Sequence, residues 1–143
     1  MEVETFFTSG YGGSKQFSQQ QVPTANATGF GAAADDYAER GIDLNEQLIR
    51  NKPATFFMRV SGRSMINAGI GDGDIVIVDR SLKPQSGKII IAVLDGEMLI
   101  RRLEMAMNRL RLVPETSKLA PIDISEFSDF KIWGVVTYVI RQV

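Results

Sequence analysis

The sequence contains neither cysteine nor histidine. The absence of cysteine excludes disulfides, thiolate nucleophiles and cysteine-ligated zinc or iron–sulfur sites. The absence of histidine excludes a Ser-His-Asp triad and the commonest ligand of transition metals. A general base must therefore be Asp, Glu, Lys or Tyr. A carboxylate-only Mg²⁺ site remains open in principle, but Asp72 and Asp74 lack further ligands at a suitable spacing, so we expect neither metal nor cofactor.

Long apolar runs and an excess of one charge are also missing. The longest apolar run, Ile89–Leu94, has six residues, whereas a spanning helix needs ~20. The acidic start lacks the basic residues of a secretory signal, so we expect a cytoplasmic protein without membrane contact. Lys and Arg number 16 against 17 Asp and Glu, which argues against whole-surface attraction to nucleic acid. The 143 residues, 44% of them hydrophobic, are enough for one globular domain.

Residues 1 to about 35 differ from the rest of the chain. They are rich in Gly, Ser and Gln, and their aromatic residues follow no helical or strand period. We predict a flexible N-terminal arm over residues 1–40, whose phenylalanines can dock on an apolar surface. On composition alone, a disordered tail is an equal alternative.

The remaining residues, 41–143, are predicted to form a β-rich domain. Asp43 and Glu46 have the spacing of a capping box at the start of a short helix, which must end before Pro53. Leu44, Leu48 and Ile49 are expected on its packed face. Six strands are expected, at residues 54–60, 75–79, 88–94, 98–104, 109–113 and 132–141, with Asp95-Gly96 as a two-residue hairpin turn. The predicted fold is mainly β, a small closed or curled domain with one short helix.

Two glycine-rich segments carry the candidate site. The first, residues 60–65, reads Val-Ser-Gly-Arg-Ser-Met, and the second, residues 69–74, leads directly into a predicted strand. Ser64 is a hydroxyl on a turn whose glycines allow another backbone to approach closely. Taken alone, such a serine more often caps a short helix, and such an aspartate pair more often lies on a solvated turn.

The order of these motifs resembles the LexA/UmuD group of self-cleaving serine peptidases. The resemblance covers roughly residues 29–143, and features upstream of the site favour the UmuD branch, the accessory subunit of error-prone DNA polymerase V. The motifs that carry it are Ser-Gly-x-Ser-Met at residues 61–65, Gly-x-Gly-Asp-Gly-Asp at 69–74, the Asp-Gly hairpin, Gly29-Phe30, Asp36-Tyr37 and Ile42-Asp43-Leu44-Asn45.

The resemblance implies a Ser–Lys dyad and an arm that is cut before a glycine. Ser64 then takes the position of the nucleophile, and Thr28–Gly29 takes that of the scissile bond. A small residue before glycine lets an extended segment lie close to the nucleophile. Backbone N–H groups around Ser64 are candidate oxyanion donors.

The position of the family's general-base lysine is occupied here by Arg101. Neutralising a lysine near pH 7 requires its pKa to fall about 3 units from ~10.4, whereas arginine starts above ~12.5. A guanidinium is therefore not a base. Strand alternation places Arg101 on the apolar face of Leu99 and Leu103, unless it is solvated or extends its head to water. Lys88 on the partner strand is the least improbable substitute base.

The resemblance implies a protein of SOS mutagenesis. Its arm would be removed under stimulation by a RecA–single-stranded DNA filament, and its processed homodimer would join the catalytic subunit of DNA polymerase V. Because of Arg101, self-cleavage is expected to be impaired. The alternatives are a non-catalytic dimeric interaction module and a fragment of a LexA-like repressor. Residues 1–35 show no helix-turn-helix, so direct sequence-specific DNA binding is not expected. A signal peptidase would need a membrane anchor, which the sequence does not show.

Overall fold

The computed structural model describes residues 2–7, 41 and 43–143. Among these residues the protein is mainly β, with one short helix and eight strands in a single sheet. The strands are β1 (Val3–Phe7), β2 (Thr55–Val60), β3 (Ile75–Asp79), β4 (Ile89–Leu94), β5 (Glu97–Ala106), β6 (Arg109–Val113), β7 (Ile122–Ile124) and β8 (Phe130–Ile140). The predicted fold class is confirmed.

The sheet is antiparallel and curls into a half-barrel. Its strand order is β1-β2-β3-β8-β4-β5-β6-β7, and each neighbouring pair is antiparallel. The curl brings β1 toward β5, where the Glu2 amide donates to the Met98 carbonyl at 3.1 Å. The start of β1 therefore lies between the end of β2 and the start of β5.

Central strands are buried because apolar residues occupy successive positions in them. Ile90, Ile91 and Ala92 of β4 are all fully buried, as expected for a strand covered on both faces. Alternate residues then supply two core clusters. One contains Val3, Met58, Val60, Met65, Ile70, Val76, Val78, Ile91 and Ile100, and the other contains Ile90, Ala92, Leu103, Leu112 and Val135.

The helix α1 (Leu44–Leu48) begins at the predicted N-cap. The Asp43 carboxylate accepts a hydrogen bond from the Asn45 amide at 3.0 Å, and the helix ends well before Pro53. The prediction of a packed face is only partly right. Leu44 is 60% exposed, whereas Ile49, the residue after the helix, is buried. A helix of five residues is too short to present a continuous apolar stripe.

All six predicted strands are present, and the ends of four of them differ from the prediction by one or two residues. The hairpin turn between β4 and β5 is also confirmed, because Asp95 and Gly96 both have positive φ, 50° and 84°, as the two central residues of a type I′ turn require. Two strands were not predicted. One is the three-residue β7, and the other is β1, which lies where the sequence showed no strand period. Val3–Phe7 therefore forms a strand although no strand period marks it in the sequence.

Several predictions lie outside the described residues. Thr28 and Gly29, the predicted cleavage site, are among them, and so are Phe17 and Phe30. The division of the chain at residue 40 stays a prediction. Of the helices that the structure describes, none has the length and apolarity needed to cross a bilayer.

Candidate active site

Hydrogen bonds from the glycine amides of the loop between β2 and β3 hold the two ends of this loop together. Gly62, at φ 94°, donates its amide to the Asp72 carboxylate at 2.7 Å. Gly73 donates its amide to the Val60 carbonyl at 2.8 Å. Asp72 therefore ties the serine-bearing turn to the second glycine-rich segment. In the described part of the chain, no cluster of three or more acidic side chains is placed to hold a metal ion.

Asp74 anchors the same loop to the end of β8. Its buried carboxylate accepts the Gly71 amide at 2.7 Å and two nitrogens of Arg141, at 2.9 and 2.6 Å. The Arg141 hydrogen bond lowers the pKa of Asp74, against the opposing effect of burial. The interpretation of Asp74 as a solvated turn residue is therefore wrong, because its side chain is buried and links the loop to Arg141.

Ser64 lies at the base of this loop and is 5% exposed. Its carbonyl accepts the Glu115 amide at 2.8 Å, and its hydroxyl donates to Oε1 of Glu2 at 3.0 Å. The following 3-10 turn, Ile66–Ala68, has Met65 at its N-cap, without a side-chain cap. Ser64 is therefore not a helix cap, and its hydroxyl faces a cleft between β2 and β5.

Arg101 reaches the same cleft from β5. The residue is 5% exposed, and NH1 donates to Oε1 of Glu2 and to the carbonyl of Ile100, the latter at 2.7 Å. Its Nε is buried and has no hydrogen-bond partner among the described residues. The alternative of a solvated or outward-reaching Arg101 is therefore wrong.

The adjacent Arg102 points the other way, as strand alternation requires. Its Nε donates to the Glu115 carboxylate at 2.6 Å, and NH1 donates to the Gly87 carbonyl at 2.7 Å. Because the Glu115 amide bonds to Ser64 and the Glu115 carbonyl accepts the Asn67 amide at 2.9 Å, Arg102 braces the loop that carries Ser64.

Glu2 is the site residue that the sequence analysis missed. Three donors converge on its Oε1: the Ser64 hydroxyl, Arg101 NH1 and the Ile100 amide, the last at 3.3 Å. Its carbonyl accepts the Ser61 amide at 2.6 Å. The signal that could have located the strand is the share of β-branched and aromatic residues over positions 3–7, four of the five, although nothing in it marks Glu2 as a partner of Ser64.

The substitute base considered from the sequence is not at this site. Lys88 is exposed, and it lines a cavity of about 470 Å³ together with Asp79, Leu82 and Tyr138. None of the residues around the Ser64 hydroxyl lines that cavity. Among the described residues, the group that accepts a hydrogen bond from the Ser64 hydroxyl is therefore the Glu2 carboxylate, which is ion-paired with Arg101, and not the amine of Lys88.

Comparison with known proteins identifies the family. Residues 21–137 match the family described as Peptidase S24-like, which is most of the chain and includes both Ser64 and Arg101. The chain belongs to the Peptidase S24-like family. The resemblance to the LexA/UmuD group is confirmed.

Individual relatives indicate which members of the family this S24-family protein is similar to. It is 44% identical over 118 residues to Protein ImpA of Salmonella typhimurium, covering 80% of this chain and 77% of that protein. It is 40% identical over 114 residues to Protein SamA of the same species, covering 80% and 79%. LexA repressor 1 of Xanthomonas oryzae pv. oryzae is 40% identical over 116 residues, which cover 81% of this chain but 57% of the repressor. The S24-family chain is therefore a UmuD-like, SOS-related protein of the self-cleaving serine peptidase kind.

Proposed function

We propose that this protein is a UmuD-type self-cleaving peptidase of SOS mutagenesis in which Arg101 slows the cleavage step. Ser64 is the nucleophile, and Thr28–Gly29 is the bond that it attacks. The observation that carries the proposal is the convergence of Ser64 and Arg101 on one carboxylate oxygen, Oε1 of Glu2. Two side chains that share an acceptor atom are close enough to act on one reacting group.

The chain is long enough to bring the proposed bond to Ser64. Gly29 is 14 positions before Asp43, where the described domain resumes, and Thr28 is 21 positions after Phe7. An extended chain spans up to ~3.5 Å per residue, so 14 residues reach about 50 Å. The length of the chain is therefore compatible with cleavage within one molecule.

The proposed reaction is nucleophilic acyl transfer. Hydroxide takes the proton of the Ser64 hydroxyl, and the Ser64 oxygen attacks the carbonyl carbon of Thr28. The Gly29 nitrogen takes a proton from water as its C–N bond breaks, which gives an acyl-enzyme and a new amino terminus. Water hydrolyses the ester and regenerates the hydroxyl. The amides of Ser61 and Gly62 already have acceptors, so we assign the oxyanion to amides between Arg63 and Met65.

The slow step is removal of the proton from the Ser64 hydroxyl. A lysine can be made neutral near pH 7 by a pKa fall of about 3 units, but a guanidinium starts above ~12.5 and stays charged. Arg101 can hold and polarise the site without accepting a proton. Cleavage should then depend on hydroxide and rise with pH.

Purified protein incubated at neutral and alkaline pH, with and without a RecA–single-stranded DNA filament, tests this function by intact mass spectrometry. We expect slow appearance of a fragment that begins at Gly29, accelerated by the filament and abolished by Ser64→Ala. A fragment that begins elsewhere would show that the cleavage site is misassigned. A product that persists in the Ser64→Ala variant would rule out Ser64 as the nucleophile.

The partners follow from the proposed function. We propose that the protein is a homodimer that, after arm removal, joins the catalytic subunit of the error-prone DNA polymerase V. The arginines of β6 do not favour direct nucleic-acid binding, because Arg109 and Arg111 both lie within ion-pair distance of Asp123, at 3.4 and 2.9 Å. Their charge is therefore partly neutralised within the sheet.

A second candidate is a non-catalytic dimeric interaction module that regulates a translesion polymerase. The buried, ion-paired Arg101 favours it, since this side chain cannot be the base of a dyad. Under this alternative, Ser64→Ala leaves lesion bypass intact. A fragment of a LexA-like repressor is the third candidate, favoured by the match to part of a repressor's length. It predicts that the full-length parent binds operator DNA.

A further inference from the structure

The cleft between β2 and β5 already holds a peptide segment, the start of the chain itself. Glu2 donates its amide to the Met98 carbonyl on one side and accepts the Ser61 amide on the other. These are main-chain bonds of the kind that an extended peptide makes when it adds to the edges of a sheet. Val3, the next residue, is 1% exposed and packs in the core beside Met65.

The side chain of Glu2 also binds in this cleft. Its Oε1 accepts the Ser64 hydroxyl, the Arg101 guanidinium and the Ile100 amide. A permanently charged arginine buried beside a serine hydroxyl and a strand amide makes a receptor for a carboxylate, since each donor is matched to an anionic acceptor. The Arg101 Nε is also buried and has no partner among the described residues.

We propose that Ser64, Arg101 and the Ile100 amide form a carboxylate-binding site, and that Glu2 is its intramolecular ligand and keeps the cleavage segment out. The binding of Glu2 at this site does not depend on the proposed activity, whereas the effect of that binding on cleavage rests on the proposed function. Thr28 must approach Ser64 as an extended strand, and Glu2 already uses the Met98 carbonyl, the Ser61 amide and the Ser64 hydroxyl. One cleft cannot hold both segments, so β1 must withdraw before Ser64 can be acylated.

Amide hydrogen exchange of the full-length protein tests the occupation without any need for cleavage. The variants are Glu2→Ala and Glu2→Gln, which remove the charge. The matched control is Glu4→Gln, because Glu4 lies on the same strand, is exposed and pairs in register with Arg59 rather than with the cleft. Loss of a charge-assisted contact should raise exchange at the amides of Val3 and Ser61 by about tenfold in both Glu2 variants, with little change in the control. Exchange within about twofold of the wild type in both Glu2 variants would overturn the carboxylate site.

The effect on cleavage is measured in the Arg101→Lys background, where a base is present. Adding Glu2→Gln should increase formation of the fragment that begins at Gly29 by about fivefold or more, whereas adding Glu4→Gln should not. If Glu2→Gln frees β1 in exchange but leaves this rate unchanged, the blocking role of Glu2 is wrong. If no variant that carries Arg101→Lys is cut, the proposed function is wrong. Hydrogen exchange still decides whether Glu2 binds in the carboxylate site.

Discussion

The Ser64 hydroxyl and the Arg101 guanidinium are joined through one atom, Oε1 of Glu2. The proposed nucleophile, Ser64, and the residue at the proposed base position, Arg101, are therefore brought together by the carboxylate of Glu2, the residue that precedes β1. This arrangement pairs a buried cation with an anion, and it also engages the Ser64 hydroxyl.

Arg101→Lys should accelerate self-cleavage by about tenfold or more near pH 8, because positioned general-base catalysis typically contributes ~10²–10⁴-fold. The measurement is the rate of formation of the fragment beginning at Gly29, followed by mass spectrometry. Arg109→Lys is the matched control, since Arg109 is exposed on β6 and pairs with Asp123 rather than with the cleft. No gain from Arg101→Lys, either alone or together with Glu2→Gln, would mean that residue 101 is not the base position.

Arg101→Ala should destabilise the fold by about 2–4 kcal/mol, because it leaves a buried space and a Glu2 carboxylate without its cation. The neighbouring Arg102→Ala should cost about 1 kcal/mol or less, since that ion pair is partly exposed. Urea unfolding at pH 7 measures both. Equal losses for the two variants would contradict the interior role of Arg101.

Asp74→Asn should reduce stability at pH 7 and progressively less at acid pH. Arg141 holds the pKa of Asp74 below its ordinary value in the folded protein. The stabilisation is therefore complete above the unfolded pKa of ~3.9 and is lost as the pH falls through the folded value. Unfolding curves of wild type and variant between pH 7 and pH 2.5 should converge at the acid end. A constant difference across this range would show that the charge of Asp74 is not involved.

Gly134→Ala should destabilise the sheet by about 1–3 kcal/mol. Gly134 is buried in β8, where an added Cβ would lie 2.6 Å from Cγ1 of Val78 and 3.5 Å from the Asp79 carbonyl. Val78 is fully buried and cannot move aside. Pairing the change with Val78→Ala should recover part of the loss, as thermal unfolding would reveal. A Gly134→Ala variant with wild-type stability would contradict this close packing.

Much of the β domain could be predicted from its sequence. The apolar runs of β3 and β4 specify buried strands, and the Asp95-Gly96 pair specifies the turn that joins β4 to β5. These signals are local, because backbone propensity and turn geometry act over a few residues. Strand alternation also placed Arg101 correctly on a buried face, once the register after the turn was known.

The strand β1 could not be predicted in the same way. It is five residues long, and its partner strand is β2, whose paired residues lie 50 or more positions further along the chain. Val3 is buried only because the half-barrel supplies the neighbours that cover it. A short segment of this kind gains its stability from the tertiary contact, so its own sequence carries little of the signal.

The sequence by itself determined the β-rich class, the family, and the absence of cysteine and histidine chemistry, because these depend on composition, periodicity and motif spacing. It also determined that residue 101 is an arginine, whose charge no environment in a protein removes. Only the tertiary structure decided which anion meets that charge. The curl of the sheet brings residue 2 within hydrogen-bond distance of residues 64 and 101, and no local pattern exists for contacts between positions 62 and 99 residues apart.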